Sequence, residues 1–272
     1  MKFSDVLGLV QANAKRTAAP ELRFHLAAGF TANQVAMFVT ALAADKAPDR
    51  RVVCAIGPYG DVIGALGAPE ASLAHVALVA LEWADIDPRL GLRRFAAAVG
   101  PVAEDILRTA AARLDMLRAA IERQAQTTPV AMALPSLSLP PVFLVPQRQM
   151  GLAETSIRLL LLQFAERCLL VDGVSIVNAA QFDQRPAIVN RRAVIGEIGA
   201  DMPYQTAHLA ALASALVECA LPPPALKGLI TDLDDTLWRG LVGEVGRDGV
   251  SWSLDAQSHI HAIYQQMLIP AP

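Results

Sequence analysis

Short apolar runs rich in β-branched residues alternate along the chain with longer segments whose apolar residues recur at helical spacing. The runs are predicted strands, and the segments between them are predicted helices. This alternation is typical of a parallel sheet covered by helices, because parallel strands need long crossover connections. The predicted strands are 22–28, 51–57, 75–82, 129–135, 173–178 and 227–234, and the predicted helices are 3–16, 32–45, 101–125, 152–170 and 204–219.

The predicted strands are apolar over most of their length, which is typical of strands that are buried on both faces. We therefore predict an α/β fold with a three-layer, doubly wound, mostly parallel sheet, in which functional loops gather at the carboxyl ends of the strands. The proline-rich segment 221–226 is predicted to be a stiff linker. The expected domains are 1–220, an α/β domain, and 227–272, which begins another with a strand.

Composition and charge exclude several classes of protein. The chain is 54% apolar over 272 residues, which is enough for a sizeable core, yet no uncharged run is long enough to span a bilayer. The formal net charge is -3 with scattered Lys and Arg, so we expect neither nucleic-acid nor membrane binding. The three cysteines stand far apart in apolar contexts and are predicted to be reduced thiols. Without a convincing secretory signal at the start, a cytoplasmic location is predicted.

Three aspartates, Asp232, Asp234 and Asp235, crowd at the end of the predicted strand 227–234, in the sequence LKGLITDLDDTLW. Alternation along a strand points Asp232 and Asp234 the same way. Two such carboxylates can share phosphoryl transfer, one attacking phosphorus or holding Mg²⁺ while the other moves a proton. An Asp-rich turn that only caps a helix would look similar, so both interpretations stand.

At these residues the sequence resembles the haloacid dehalogenase (HAD) superfamily, whose first motif is Asp-x-Asp-x-Thr or Val at the end of the first strand. The longer match KGLITDLDDTLWRGLVGEVGRDGVSW resembles the FkbH-like subgroup, HAD subclass IIIC. The resemblance implies that Asp232 is the phosphoryl-accepting nucleophile and a Mg²⁺ ligand. It implies that Asp234 is the general acid/base and binds the metal through its backbone carbonyl, while Thr236 orients the loop. Asp235 occupies the variable position of the motif.

The same resemblance implies a function. FkbH-like proteins are Mg²⁺-dependent phosphatases or glyceryl (acyl) transferases that load a unit from a phosphorylated three-carbon substrate onto an acyl carrier protein in polyketide-type biosynthesis. Such a site also needs a phosphoryl-binding Ser or Thr, a Lys and a further acidic ligand on later strands. The chain ends soon after YQQMLIPAP, so the HAD domain is expected to be truncated after its first motif and these 272 residues to be inactive alone.

The region before the linker resembles the SGNH-hydrolase-like domain that FkbH-like proteins carry, through the segments AIGPYGDVIGAL, VALEWADIDPRLGLR, ALPSLSLPP and DMPYQTAHLAALASAL. True SGNH hydrolases have a nucleophilic Ser after the first strand and an Asp-x-x-His pair near the end. Here Thr31 falls near the Ser position, and His208 follows Asp201 by seven residues rather than three. Thr31 is predicted to be a helix N-cap and His208 a structural hydrogen-bonding residue.

A dense polar loop follows the third predicted strand, where a doubly wound sheet keeps its ligand crevice. Its acidic residues either bind a ligand or only cap a helix and form ion pairs. The predicted crevice comprises Thr31, Tyr59, Asp61, Glu82, Asp85, Asp87 and His208. Two alternatives to the phosphatase hypothesis remain: a non-catalytic docking domain for a carrier protein or partner enzyme, and an SGNH-like esterase or acyltransferase that uses Thr31 and His208.

Overall fold

The structure is a computed structural model that describes residues 3–146, 149–183, 190–223, 228–254 and 257–269. The chain divides into two compact units, Met1–Pro222 and Pro223–Pro272. Among the described residues, no helix is both long enough and apolar enough to cross a membrane. The three cysteines are free thiols, and burial raises the pKa of Cys54 to about 12.

The first unit contains a five-stranded parallel sheet, whose strands are β1 Glu21–Ala28, β2 Arg51–Ile56, β3 Val76–Ala80, β4 Val130–Ala133 and β5 Val174–Ile176. Their order in the sheet is β2-β1-β3-β4-β5. The chain winds outward from β1 to β2 and then returns to β3 on the other side of β1, so the topological switch lies between β1 and β3. The predicted α/β class, with its mostly parallel sheet, is confirmed.

Helices cover both faces of this sheet, because each central strand is apolar on both sides. Along β3, Val76 and Leu78 pack into the core on one face of the sheet, while Ala77 and Val79 pack into the core on the opposite face. The helices are α1 Phe3–Ala14, α2 Asn33–Lys46, α3 Val62–Leu66, α4 Pro69–Ser72, α5 Trp83–Ile86, α6 Pro101–Ala125, α7 Leu152–Leu169, α8 Ala180–Asp183, α9 Val194–Ala200 and α10 Thr206–Ala220. Short 3₁₀ turns span Pro88–Leu90 and Leu92–Arg94.

Helix α6 shows how local sequence fixes an element. Pro101 opens it, where the missing N–H costs nothing, and Gly100 before it adopts a positive φ of 49°. Ile106, Leu114 and Leu117 recur along one stripe and are buried. The predicted range 101–125 is confirmed to the residue.

The second unit contains short elements: α11 Val242–Val245, a 3₁₀ turn Arg247–Gly249 and α12 His259–Leu268. The predicted strand 227–234 is wrong over the residues that the structure describes, since 228–233 form no strand and Asp234 makes only an isolated bridge with Trp238. Lys227 lies outside the described residues. A parallel strand needs neighbours for its backbone groups and a core for its side chains. Neither is present for this run within the described part of the unit, and Ile230 is 99% exposed.

Candidate functional site

A cavity of about 750 Å³ opens at the carboxyl ends of β1 and β3, in the first unit. This is the topological switch point, where doubly wound sheets bind ligands, and the volume is typical of a small-molecule site. Gly29 and Phe30 line it just after β1, and Glu82, Asp85 and Asp87 line it after β3. Three of the predicted crevice residues therefore share one cavity.

Asp85 occupies the floor of this cavity beside Gly29. Its Oδ2 accepts the N–H of Glu82 at 2.8 Å, which caps the start of α5. Its Oδ1 fills the space above Gly29, where an added Cβ would lie only 1.6 Å away. Part of the surface of Asp85 opens onto the cavity. Burial raises the pKa of Asp85 to about 7, with a further increase from the charge of Asp201 and a decrease from the Glu82 N–H bond and Arg113.

Glu82 is a buried carboxyl group held by neutral donors. Its Oε1 accepts hydrogen bonds from the Tyr204 hydroxyl at 2.9 Å, the Ser136 hydroxyl at 3.0 Å and the Ser136 N–H at 3.2 Å. Burial raises the pKa of Glu82 to about 7 despite these bonds, and the negative charge of Asp85 adds to the increase. Such a raised pKa in a cavity is typical of a functional site.

His208 supports Glu82 from behind the cavity. Its Nε2 lies 2.8 Å from the Ser136 hydroxyl, and its Nδ1 is buried without a hydrogen-bond partner among the described residues. Because the Ser136 hydroxyl donates its single proton to Glu82, His208 Nε2 must carry the proton in their bond. A bare ring nitrogen is also less costly to bury than an unpaired N–H. Burial lowers the pKa of His208 to about 4, and the charge of Arg191 lowers it further, so the ring is neutral.

Thr31 and His208 do not form a catalytic pair. The Thr31 hydroxyl donates to the Ala200 carbonyl at 2.8 Å, and its N–H donates to the Asp201 carbonyl at 2.9 Å. The prediction that Thr31 caps a helix is also wrong, because Ala32 occupies the N-cap of α2 and no side chain caps it. Thr31 instead ties the loop after β1 to the end of α9.

Tyr59 lies at the rim of the cavity. Its hydroxyl donates to Asp201 Oδ2 at 2.6 Å and accepts from Arg93 Nη1 at 2.9 Å. Asp201 and Arg93 both line the cavity, and Arg93 also pairs directly with Asp201 at 3.1 Å. Asp61, by contrast, caps α3 through a 2.8 Å bond from the Gly64 N–H and is not a lining residue.

Asp87 has a structural role that the sequence left open. Its Oδ2 accepts from Arg89 Nη2 at 2.7 Å and from the Thr109 hydroxyl at 2.6 Å. Burial alone would raise the pKa of Asp87, but Arg89 and Thr109 together lower it below its usual value. Arg89 also pairs with Asp105. The ion-pairing interpretation of the polar loop thus describes Asp87, whereas Glu82 and Asp85 form no ion pair within the described residues.

Sequence reasoning missed Ser136 and Tyr204, which position Glu82. The topology of the sheet brings both residues to the edge where Glu82 lies, because Ser136 comes after β4 and Tyr204 precedes α10. They are 54 and 122 residues away from Glu82 along the chain. The sequence signal that could have identified Ser136 is its position as a polar residue directly after the predicted strand 129–135.

In the second unit, the aspartate motif forms a tight loop. Asp234 Oδ1 accepts from the Trp238 indole N–H at 3.0 Å and from the Val242 N–H at 3.3 Å. Asp235, with a positive φ of 50°, accepts the Gly240 N–H at 2.6 Å. The exposed Asp232 accepts the N–H of its neighbour Leu233 at 2.8 Å. The Thr236 carbonyl lies 3.0 Å from His261 Nδ1.

The motif's donors do not form a magnesium site as they stand. Mg²⁺ prefers an octahedral set of hard oxygen ligands. Among the described residues, no three His, Cys, Asp or Glu side chains gather where they could hold a metal. One oxygen of Asp234 is already occupied by two N–H donors. The described residues therefore supply only part of the ligand set that the resemblance implies, and Mg²⁺ commonly completes such a set with waters and substrate phosphates.

Comparison of the sequence with known protein families and with curated proteins finds no match. Among solved structures, the chain is similar to the N-terminal part of the protein BF1531 from Bacteroides fragilis, which is described as containing a phosphatase domain and as complexed with Mg. The TM-score is 0.69 at 12% sequence identity, and the match covers 98% of this chain and 70% of that chain. This likeness shows that the chain shares the fold of that structure.

Proposed function

We propose that the chain is a FkbH-like protein of HAD subclass IIIC whose second unit carries the nucleophile and the acid/base of a phosphoryl-transfer site. The main support for this proposal is the Asp-x-Asp-x-Thr loop from Asp232 to Thr236. It occurs in a chain whose fold matches, over 98% of its length, a structure described as containing a phosphatase domain complexed with Mg.

The two aspartates suit different steps. Asp232 is exposed, and one carboxylate oxygen accepts its neighbour's N–H, so the other is available to attack phosphorus. Attack forms an aspartyl phosphate and breaks the bond from phosphorus to the leaving oxygen, which takes a proton from Asp234. The bonds from Trp238 and Val242 fix Asp234 for that transfer. A hydroxyl or water then attacks phosphorus, the bond to the Asp232 oxygen breaks and restores its carboxylate, and the attacking oxygen returns a proton to Asp234.

The remaining parts of the proposal come from the resemblance. They are Mg²⁺ as cofactor, a phosphorylated three-carbon substrate and an acyl carrier protein as partner. The described residues of the second unit include no lysine and no third metal ligand beside the aspartates. Efficient turnover of an unactivated phosphomonoester therefore requires further groups.

The half-reaction is the appropriate test, because it needs the nucleophile and an activated donor but not the complete site. The purified chain is incubated with acetyl phosphate and Mg²⁺, and peptides are searched by mass spectrometry for phosphoaspartate. The expected result is an adduct on Asp232 in the wild type and in Asp235→Asn, and none in Asp232→Asn. An adduct that persists in Asp232→Asn, or no adduct in the wild type, contradicts the proposal.

The esterase alternative loses support from the geometry, since the Thr31 hydroxyl donates to a backbone carbonyl and His208 bonds Ser136. No contact among the described residues of the first unit favours the docking alternative over the proposed function.

A further inference from the structure

Ion pairs neutralise several of the charged groups that line the cavity of the first unit. Several of its lining carboxylates are paired: Arg89 holds Asp87 at 2.7 Å, Arg93 holds Asp201 at 3.1 Å, and Arg192 holds Glu197 at 2.6 Å. These pairs belong to the walls and leave little charge for a ligand.

Two lining carboxyl groups form no ion pair with a described residue. Glu82 and Asp85 accept hydrogen bonds only from neutral donors, and neither forms an ion pair within 4.0 Å in the described part of the chain. Burial raises the pKa of each to about 7, and the charge of Arg113 offsets only part of the increase for Asp85. A cationic group in the cavity would stabilise their ionised forms.

Two lining arginines are also without an ion pair among the described residues. Arg113, which is half-buried on α6, makes a single hydrogen bond, from its Nε to the Asp85 carbonyl at 3.4 Å. Arg94 is exposed at the end of a 3₁₀ turn and makes no hydrogen bond to a described residue. A guanidinium with free N–H groups is suited to bind a carboxylate.

Apolar side chains form the rest of the wall. Phe30, Trp83, Met116 and Leu137 line the same cavity. Trp83 is fixed there by the bond from its indole N–H to the Leu137 carbonyl at 2.8 Å. These surfaces favour an apolar substituent on the ligand.

We propose that this cavity binds a zwitterionic amino compound with an apolar side chain, such as a free amino acid or a dipeptide. The ammonium group lies against Glu82 and Asp85, and the carboxylate lies against Arg94 and Arg113. Unpaired charges of both signs in one cavity are complementary to a ligand that carries both charges. A simple anion or a simple amine satisfies only half of the site.

Isothermal titration calorimetry with three matched probes tests this binding on the full chain. L-Phenylalanine carries both charges, 3-phenylpropionate lacks the ammonium group, and phenethylamine lacks the carboxylate. The expected result is that L-phenylalanine binds about tenfold or more tightly than either of the other two, since a charge-assisted contact is lost with each. Equal or tighter binding of a single-charge probe, or no binding of L-phenylalanine, overturns the proposal.

Variants assign each charge to its residue. Asp85→Asn, which keeps an acceptor for the Glu82 N–H, should remove the preference for L-phenylalanine over 3-phenylpropionate. Arg113→Gln and Arg94→Gln should each reduce the preference over phenethylamine. Arg94 is exposed, so its variant tests the site even if the half-buried Arg113 proves necessary for folding.

The matched control is Arg123→Gln, on the same helix as Arg113 but outside the cavity lining. It should bind all three probes as the wild type does. If Asp85→Asn and both cavity arginine variants also bind as the wild type does, the cavity is not the site and the inference is wrong.

Discussion

Glu82→Gln should remove a pH-dependent cost of folding. Glu82 is only 6% exposed, and burial raises its pKa from 4.5 to about 7. Below about pH 4.5 the carboxyl group is protonated in both the folded and the unfolded protein, so it contributes no difference. Above about pH 7 it is ionised in both, and the folded state carries the cost of the buried charge.

The pKa increase sets the magnitude. At 1.36 kcal/mol for each pKa unit, ionised Glu82 lowers the free energy of unfolding by about 3 kcal/mol. The raised pKa also sets the sign of the pH dependence, because between these two pH values the folded protein binds more protons at Glu82 than the unfolded protein does. The contribution of Glu82 to the free energy of unfolding therefore falls as the pH rises. Gln keeps an oxygen acceptor for Tyr204 and Ser136 and has nothing to titrate.

Urea unfolding across this pH range measures the effect. The free energy of unfolding of Glu82→Gln minus that of the wild type should rise by about 3 kcal/mol from about pH 4.5 to about pH 8. The titrations of Asp85 and His208 cancel to first order in this difference, since both proteins contain them. A flat difference for Glu82→Gln would contradict a buried environment that raises the pKa of this carboxyl group.

Two further predictions concern the same edge of the sheet. Gly29→Ala should destabilise the protein by about 1–3 kcal/mol, because the new Cβ displaces the Asp85 carboxylate from its capping position. The control Gly8→Ala, in α1 with open space around it, should instead stabilise by about 0.5–1 kcal/mol, and thermal unfolding distinguishes the two. The His208 ring should remain neutral at about pH 5.5, where a free imidazole is mostly protonated. Ring nitrogen shifts in an NMR titration that show protonation there would contradict its buried environment.

Much of the first unit was predictable from its sequence, because its elements follow from local patterns. Apolar runs located all five strands, and Pro101 with the apolar stripe behind it fixed α6. The position of the cavity followed too, because the carboxyl ends of neighbouring parallel strands meet at one edge.

The details of the site depend on contacts between distant parts of the chain. Nothing near Glu82 in the sequence indicates that Ser136 and Tyr204 hold its carboxyl group, and nothing near Thr31 indicates that Ala200 accepts its hydroxyl. The predicted strand 227–234 failed for the same physical reason. Alternating apolar residues give a run the capacity to pair, but neighbouring strands must be present to pair with it.

Backbone NMR tests most directly whether the carboxyl edge of β1 and β3 is the ligand-binding site of the first unit. On addition of L-phenylalanine to the ¹⁵N-labelled chain, we expect shifts of the amide signals of Gly29, Asp85 and Arg94, while those of Gly8 and Arg123 stay in place. Shifts centred away from this edge, or none at all, would contradict it.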